Sequence, residues 1–321
     1  LPKSTTMKIQ QKRNIFPNQQ ISRYNLAAWQ TPNSDSVFFI GREVNEPGSI
    51  GEPDTGILKL FELNTDNSII NERTIWKPRY DGINLEDPRA LQLENDKLII
   101  GVTAVLRDKK GIPLPFPAII KIDSHNTWLN ELPPFLIIET FGPGKNLTPI
   151  DNTTYLFRPD TPEYNHKILV FSLHNQVPEK ICDIVFPTSL PWAQWRIGTT
   201  MPPIWINDHE ALFIIHGISI EKKDDQQKYI YSLGRAKLTR HDNCYDLTVS
   251  PEPILVPDNF IEEDGQPLVN ELHPNLRRVV YSCGGLIKKN KQDALSLYVN
   301  VGDRTTFEVE FSLAELKEGL F

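Results

Sequence analysis

Asn84-Leu85-Glu86-Asp87-Pro88-Arg89 brings an amide, two carboxylates and a guanidinium into one short stretch. A carboxyl group can deliver a proton to a reacting oxygen or remove one from it. Pro88 predicts an extended backbone at Asp87, because the proline ring crowds the preceding residue out of the helical region. On that backbone the Asp87 carboxylate would be aimed rigidly. Arg89 could pair with Glu86 or Asp87 and hold the loop. An ordinary charged turn would carry the same residues.

A second constellation is basic. Lys145-Asn146, Arg158, Arg196 and His216 are far apart in the chain, but each lies beside a short apolar run. If they converge they form an anion site, since Arg offers a planar fork that fits phosphate and Lys adds a point charge. Taken singly, each reads equally well as a salt bridge or a solvated loop residue. A third group comprises Tyr24-Asn25, Gly41-Arg42-Glu43 and Gly302-Asp303. Amide, guanidinium and carboxylate groups of this kind suit sugar hydroxyls. Trp29, Trp192 and Trp195 could stack on a pyranose face or simply pack the core. The chain has no GxSxG, HExxH, CxxC or GxxxxGK[ST] pattern, and its 7 His are scattered without metal-ligand spacing. Neither a metal nor a cofactor is predicted. The cysteines have no evident base partner, so a thiol nucleophile is not expected.

The elements that must position these groups read as strands. Apolar runs are short and rich in β-branched and aromatic residues, and they fall in pairs. Residues 36–40 precede 57–63, 97–103 precede 118–122, and 153–157 precede 167–173. Residues 211–216 precede 229–238, and 279–283 precede 294–299. Successive pairs start 61, 56, 58 and 68 residues apart. That is about the length of one four-stranded propeller blade. The spacing predicts an all-β fold, a five-bladed β-propeller over residues 1–321 as a single domain. A β-sandwich with long loops is the competing architecture. The first twenty residues are expected to meet the last blade and close the ring. A capping box at Ser312-Leu313-Ala314-Glu315 predicts one short C-terminal helix from about Leu313 to Leu320.

Composition narrows the function classes. The chain has 321 residues, 39% of them hydrophobic and 23% charged, which excludes disorder. No apolar run approaches the roughly 20 residues of a membrane helix, so no membrane partner is expected. The net charge of −7 argues against a nucleic-acid surface but leaves room for a local basic pocket. Pro 26 and Gly 17 imply many turns and few long helices. Three cysteines cannot complete a disulfide framework, and the first residues lack an apolar signal core. A reducing, cytoplasmic location is the expectation.

In their order, these motifs resemble glycoside hydrolase family 130, the mannoside phosphorylases and β-mannosidases. Residues 85–90, LEDPRA, resemble the family's G-x-E-D-P-R-[ILV]. Residues 195–204 resemble W-x-K-I-G followed by PPI, 213–217 resemble L-I-Y-H-G, and 231–234 resemble Y-x-L-G. Residues 253–257, 262–265 and 279–284 also fit in order, so the likeness runs from about residue 24 to 315. Tyr298-x-x-x-Gly302-Asp303 departs from the usual Y-Y-G-x-A-D.

The resemblance implies a five-bladed propeller performing inverting chemistry on β-mannosides. It makes Asp87 the general acid, acting through the 3-hydroxyl of the bound mannose. Inorganic phosphate, a co-substrate held by Lys145, Asn146, Arg158, Arg196 and His216, would attack C1 and release mannose 1-phosphate. Asn25, Arg42, Glu86 and Asp303 would hold the sugar. Two of the phosphate positions exchange identity with the family, Lys for Arg at 145 and Arg for Lys at 196. Those swaps alter bidentate geometry. The basic set is otherwise kept, which favours phosphorolysis of a mannose-containing oligosaccharide. An inverting β-mannosidase would instead need a water-activating carboxylate about 6.5–9.5 Å from the acid, for which Glu139, Glu210 and Glu271 are candidates. A sugar-binding propeller without turnover is the third reading. Family members often associate, so a homo-oligomer is a further partner to consider.

Overall fold

The computed structural model describes residues 7–17, 20–31, 34–46, 48, 54–66, 68–78, 83–93, 97–123, 131–223, 226–242, 244–274 and 277–321. They form five sheets arranged as the blades of a propeller, antiparallel throughout except where the short strand Arg277–Arg278 pairs parallel with its neighbour. Blade I runs from the hub outward as Ser22–Trp29, Val37–Glu46, Thr55–Leu63 and Ile69–Trp76. Blade II is Asn84–Gln92, Lys97–Arg107, Pro113–Asp123 and Leu136–Ile137. Blade III is Gly144–Pro149, Thr154–Pro159, Lys167–His174 and Val177–Val185. Blade IV is Arg196–Thr199, Glu210–Lys223, Gln226–Arg240 and Tyr245–Val249. Two short strands flank this last blade, Ile204–Trp205 and Arg277–Arg278.

Blade V is Val280–Leu286, Ala294–Val301 and Thr305–Ser312, completed on its outer edge by Gln11–Asn14. The N-terminal strand pairs antiparallel with Thr305–Ser312, placing Gln11 opposite Glu310 and Asn14 opposite Phe307. The ring therefore closes as expected. One expectation shifts. The strand pairs recognised in the sequence are the second and third strands of blades I–IV, but the first and second of blade V. Blade V takes its outermost strand from the other end of the chain, so its strongest signals lie one place nearer the hub.

The apolar core lies between blades and not along the axis. Side chains alternate across a strand, so each blade offers one face to each neighbour. Leu98, Ile100 and Val102 join Ala27, Ile40 and Leu60 between blades I and II. Ile99 and Ile119 turn the other way, to Leu147, Tyr155 and Phe157 of blade III. Both faces are buried, so residues 97–103 read as a continuous apolar run and not as an alternation. Three further clusters fill the remaining gaps around the ring. The hub is lined mostly by polar side chains, with Val279 and Ile218 among them.

Two local expectations are corrected. The helix spans only Leu313–Lys317. Ser312 accepts from the Glu315 amide at 3.5 Å, but Glu315 Oε2 is buried without a partner and does not reach back. Arg235 Nη1 gathers the carbonyls of Glu315, Leu316 and Glu318, and Gly319 turns away at a φ of 72°. Second, the cysteines are not all free. Cys182, on the outer strand of blade III, is bonded to Cys244, just before the outer strand of blade IV. Packing of blade III against blade IV brings these positions together, across a sequence separation of 62. The cysteine count therefore no longer argues for a reducing compartment. Reduction of this staple should cost about 2–4 kcal/mol of stability. Denaturant unfolding with and without reductant checks this, and equal midpoints would show that the bridge adds nothing.

Candidate active site

The inner strands supply the site through a repeated distortion. In blades I, II and III the register with the second strand slips between Tyr24 and Ala27, Glu86 and Arg89, and Lys145 and Thr148. The residue at each bulge has left-handed backbone, with φ of 56° at Asn25, 51° at Asp87 and 66° at Asn146. Asn and Asp tolerate that region better than other residues carrying a Cβ. Three successive blades thus turn one short polar side chain toward the hub. The extended backbone predicted for Asp87 is overturned. The bulge outweighs the preference set by Pro88, and Arg89 holds it by donating from Nη1 to the Asp87 carbonyl at 2.8 Å.

Arg89 does not pair with Glu86 or Asp87 through their carboxylates. It is fully buried and ties four blades together at the hub. Its Nη2 reaches Asn146 Oδ1 at 3.0 Å, the Thr199 carbonyl at 3.4 Å and the Tyr281 hydroxyl. Tyr281 also donates to Asn146 Oδ1 at 3.1 Å. Asn146 Oδ1 is thereby saturated, while its buried Nδ2 has no partner.

One cavity of about 380 Å³ opens on these groups. Asp87, Lys145, Asn146, Arg158, Arg196, His216, Asn25, Arg42, Glu86 and Asp303 all line it. Of the three tryptophans considered, only Trp195 does. Trp192 is buried against Gly217 and Gly234, and Trp29 faces a separate pocket. The cavity also takes in Tyr24, Asp54, Asp160, Tyr231, His273, Arg277 and Tyr281. Residues 231 and 281 lie within motifs legible in the sequence. Asp54, Asp160, His273 and Arg277 carried no local signal and arrive through the fold.

Asp87 is held at one oxygen. Asn25 Nδ2 donates to Asp87 Oδ1 at 2.6 Å. Asn25 is oriented in turn by Asn300 Nδ2, 3.1 Å from its Oδ1, and the same Asn300 amide donates to Asp303 Oδ1 at 2.7 Å. Because Oδ1 accepts from Asn25, a proton on this carboxyl resides on Oδ2. Glu86 behaves differently. Burial alone would raise its pKa, but Lys145 and Arg42 outweigh it and hold the carboxyl below its ordinary range. Lys145 Nζ lies 3.0 Å from Oε2, Arg42 Nη2 3.3 Å from Oε1, and Asn84 Nδ2 3.1 Å from Oε1. Glu86 is thus a fixed anion that offsets the charges of Lys145 and Arg42. Arg277 bridges Asp303 at 2.8 Å and Asp54 at 3.7 Å, and His273 Nε2 meets Asp54 at 3.0 Å.

Arg158 stands apart. It is 5% exposed, its Nε and Nη1 have no hydrogen-bond partner, and it makes no ion pair among the described residues. Burial and then the neighbouring Arg196 push its pKa down to about 10, so it remains cationic at neutral pH. His216 donates from Nδ1 to the Thr199 carbonyl at 3.2 Å, leaving Nε2 as an acceptor. Burial, followed by Arg158 and Arg89, holds the imidazole well below its ordinary pKa and therefore neutral. Gly198 makes room here, since a Cβ would lie 2.4 Å from Asn146 Nδ2 and as close to the His216 ring. Arg158 and Asn146 line the cavity that holds Asp87, and their partnerless donors are buried in its wall. Buried donors without acceptors are costly, and an anion would satisfy them.

Solved structures share this fold. A β-1,2-mannobiose phosphorylase from Listeria innocua, in complex with β-1,2-mannobiose, superposes with a TM-score of 0.62 at 14% identity, covering 95% of this chain and 94% of that one. A mannose phosphorylase from Leishmania mexicana, in complex with phosphate ion, gives 0.56 at 13% identity over 96% and 89%. A structure from the GH130 family, described as mannoside phosphorylases that include hydrolases of β-1,2-mannosidic linkages in Candida mannan, gives 0.63 at 14% over 92% and 85%. The chain has the fold of the mannoside phosphorylases. No family model and no curated protein sequence matches it.

The other candidate bases fall outside the cavity lining. Glu139 is exposed, and Glu210 pairs with Lys237 at 3.0 Å. Glu271 is half-buried, accepts from the Val279 amide at 3.0 Å and is pushed up to about 7 by burial. Cys283 is buried, and burial pushes its thiol up to about 12, which removes it as a nucleophile. Among the described residues no group of His, Cys, Asp and Glu could hold a metal ion.

Proposed function

We propose that this protein is an inverting glycoside phosphorylase that cleaves β-mannosides with inorganic phosphate. The observation carrying the proposal is one cavity holding both a carboxyl anchored at a single oxygen, Asp87, and a buried guanidinium without an acceptor, Arg158. Asn25, Arg42, Glu86 and Asp303 bind the mannosyl unit. Asp87 gives the proton on Oδ2 to the glycosidic oxygen, relayed through the sugar 3-hydroxyl. Phosphate, held by Arg158, Asn146 and the rest of the basic set, attacks C1 from the opposite face. The C1–oxygen bond to the aglycone breaks and a C1–O–P bond forms with inversion. The proton carried by hydrogen phosphate restores the one Asp87 gave up. Phosphate arrives as an anion, so no second carboxylate is needed as a base. Comparable folds found with mannobiose in one case and phosphate in another support this reading.

Incubation with short β-mannosides should yield mannose 1-phosphate only when phosphate is present. Free mannose at the same rate without phosphate would instead identify a hydrolase. Saturable binding with neither product would identify a sugar-binding propeller.

A further inference from the structure

The anion site contains an acid that the proposed mechanism leaves unused. Asp160 follows Arg158-Pro159 at the end of the strand Thr154–Pro159 and lines the same cavity. Its Oδ1 takes Arg196 Nη1 at 3.0 Å, and Arg196 Nε is anchored by Asn165 Oδ1 at 3.1 Å. The acid is therefore fixed beside the cations, while its Oδ2 has no hydrogen-bond partner among the described residues and the side chain is 44% exposed. A carboxylate can only accept, whereas the free groups of Arg158 and Asn146 can only donate. An oxyanion entering this site meets donors on one side and a negatively charged acceptor on another.

That combination distinguishes anions by whether they retain a proton. Phosphate near neutral pH carries at least one P–O–H, which can donate to a carboxylate. Sulfate carries none, so its oxygen against Asp160 brings two negative acceptors together with nothing to share. The neutral His216 adds an acceptor at Nε2 but no repelling charge. We infer that Asp160 is the specificity-determining residue of the anion site, selecting a protonated oxyanion, inorganic phosphate, over fully ionised sulfate. This rests on the proposed anion site at Arg158.

Calorimetric titration of the wild-type protein with phosphate and with sulfate tests the inference directly. Phosphate should bind at least about tenfold more tightly, the size expected for one charge-assisted hydrogen bond gained against one repulsion. Asp160→Asn keeps an amide oxygen for Arg196, removes the charge and adds a donor. Sulfate affinity should then rise about tenfold and the preference should collapse toward one. Equal wild-type affinities for the two anions would overturn the selective role while leaving the anion site standing, whatever the variant does. A phosphate-to-sulfate ratio unchanged in Asp160→Asn would overturn it as well. Binding of neither anion to the wild type would remove the anion site and this inference together.

Discussion

Asp87→Asn should lower the turnover of a β-mannoside by roughly 10²–10⁴-fold, the usual contribution of a positioned general acid, while leaving the protein folded. The substitution is nearly isosteric. Its amide oxygen can still accept from Asn25, replacing the 2.6 Å contact at Oδ1. Asn also tolerates the left-handed backbone at this bulge, where φ is 51°. What it lacks is the transferable proton on Oδ2. The neighbouring bulges show that the fold accepts Asn in this role, since Asn25 and Asn146 occupy the equivalent places in blades I and III. Steady-state kinetics beside a melting curve checks the prediction. Near-normal turnover in a folded variant would remove Asp87 from the chemistry.

Arg158→Met should separate stability from activity. The guanidinium is buried, faces Arg196 and makes no ion pair among the described residues, so its charge is a cost in the ligand-free protein. Met fills similar volume without that charge, and the free protein should become about 1–2 kcal/mol more stable. Phosphate affinity should move the other way. Losing a desolvated charge contact removes 2 kcal/mol or more, which raises the phosphate requirement at least about 30-fold. Phosphate should also cease to raise the melting temperature, since a ligand stabilises only the state that binds it. A destabilised variant whose phosphate dependence is unchanged would show that Arg158 is a packing residue.

Much of the cavity lining was visible in the residues themselves. The ten side chains expected to act as acid or to bind phosphate or sugar line one cavity, because the ends of the inner strands, the connecting loops and the neighbouring strands of successive blades all approach the axis, whereas Glu43, Arg89, Trp29 and Trp192 do not line it. Their pairing was not visible. Lys145, Arg158 and Arg196 are similar cations in the sequence, yet Lys145 is taken by Glu86 and Arg196 by Asp160, leaving Arg158 unpaired. Arg89 stands next to two acids in the chain but binds the Asp87 carbonyl, Asn146 and Tyr281 instead, because the bulge turns the Asp87 side chain toward Asn25. Arg277 pairs with Asp54, which also meets His273 at hydrogen-bond distance, in a polar wall with no local pattern to announce it.

Strand pairs repeating at roughly sixty residues were enough to count the blades, since both faces of a blade are buried and leave continuous apolar runs in the chain. The motif around Asp87 was enough to mark a candidate site, and its side chain lines the cavity. Three things emerged only in the folded structure: left-handed backbone at three inner strands, a disulfide between the outer edges of blades III and IV, and the division of cations into paired and free. The bulges depend on how the first two strands of a blade pair, and the disulfide and the ion pairs depend on groups from neighbouring blades meeting at the rim or hub. Such meetings are set by the circular packing of sheets, which no local stretch of residues encodes.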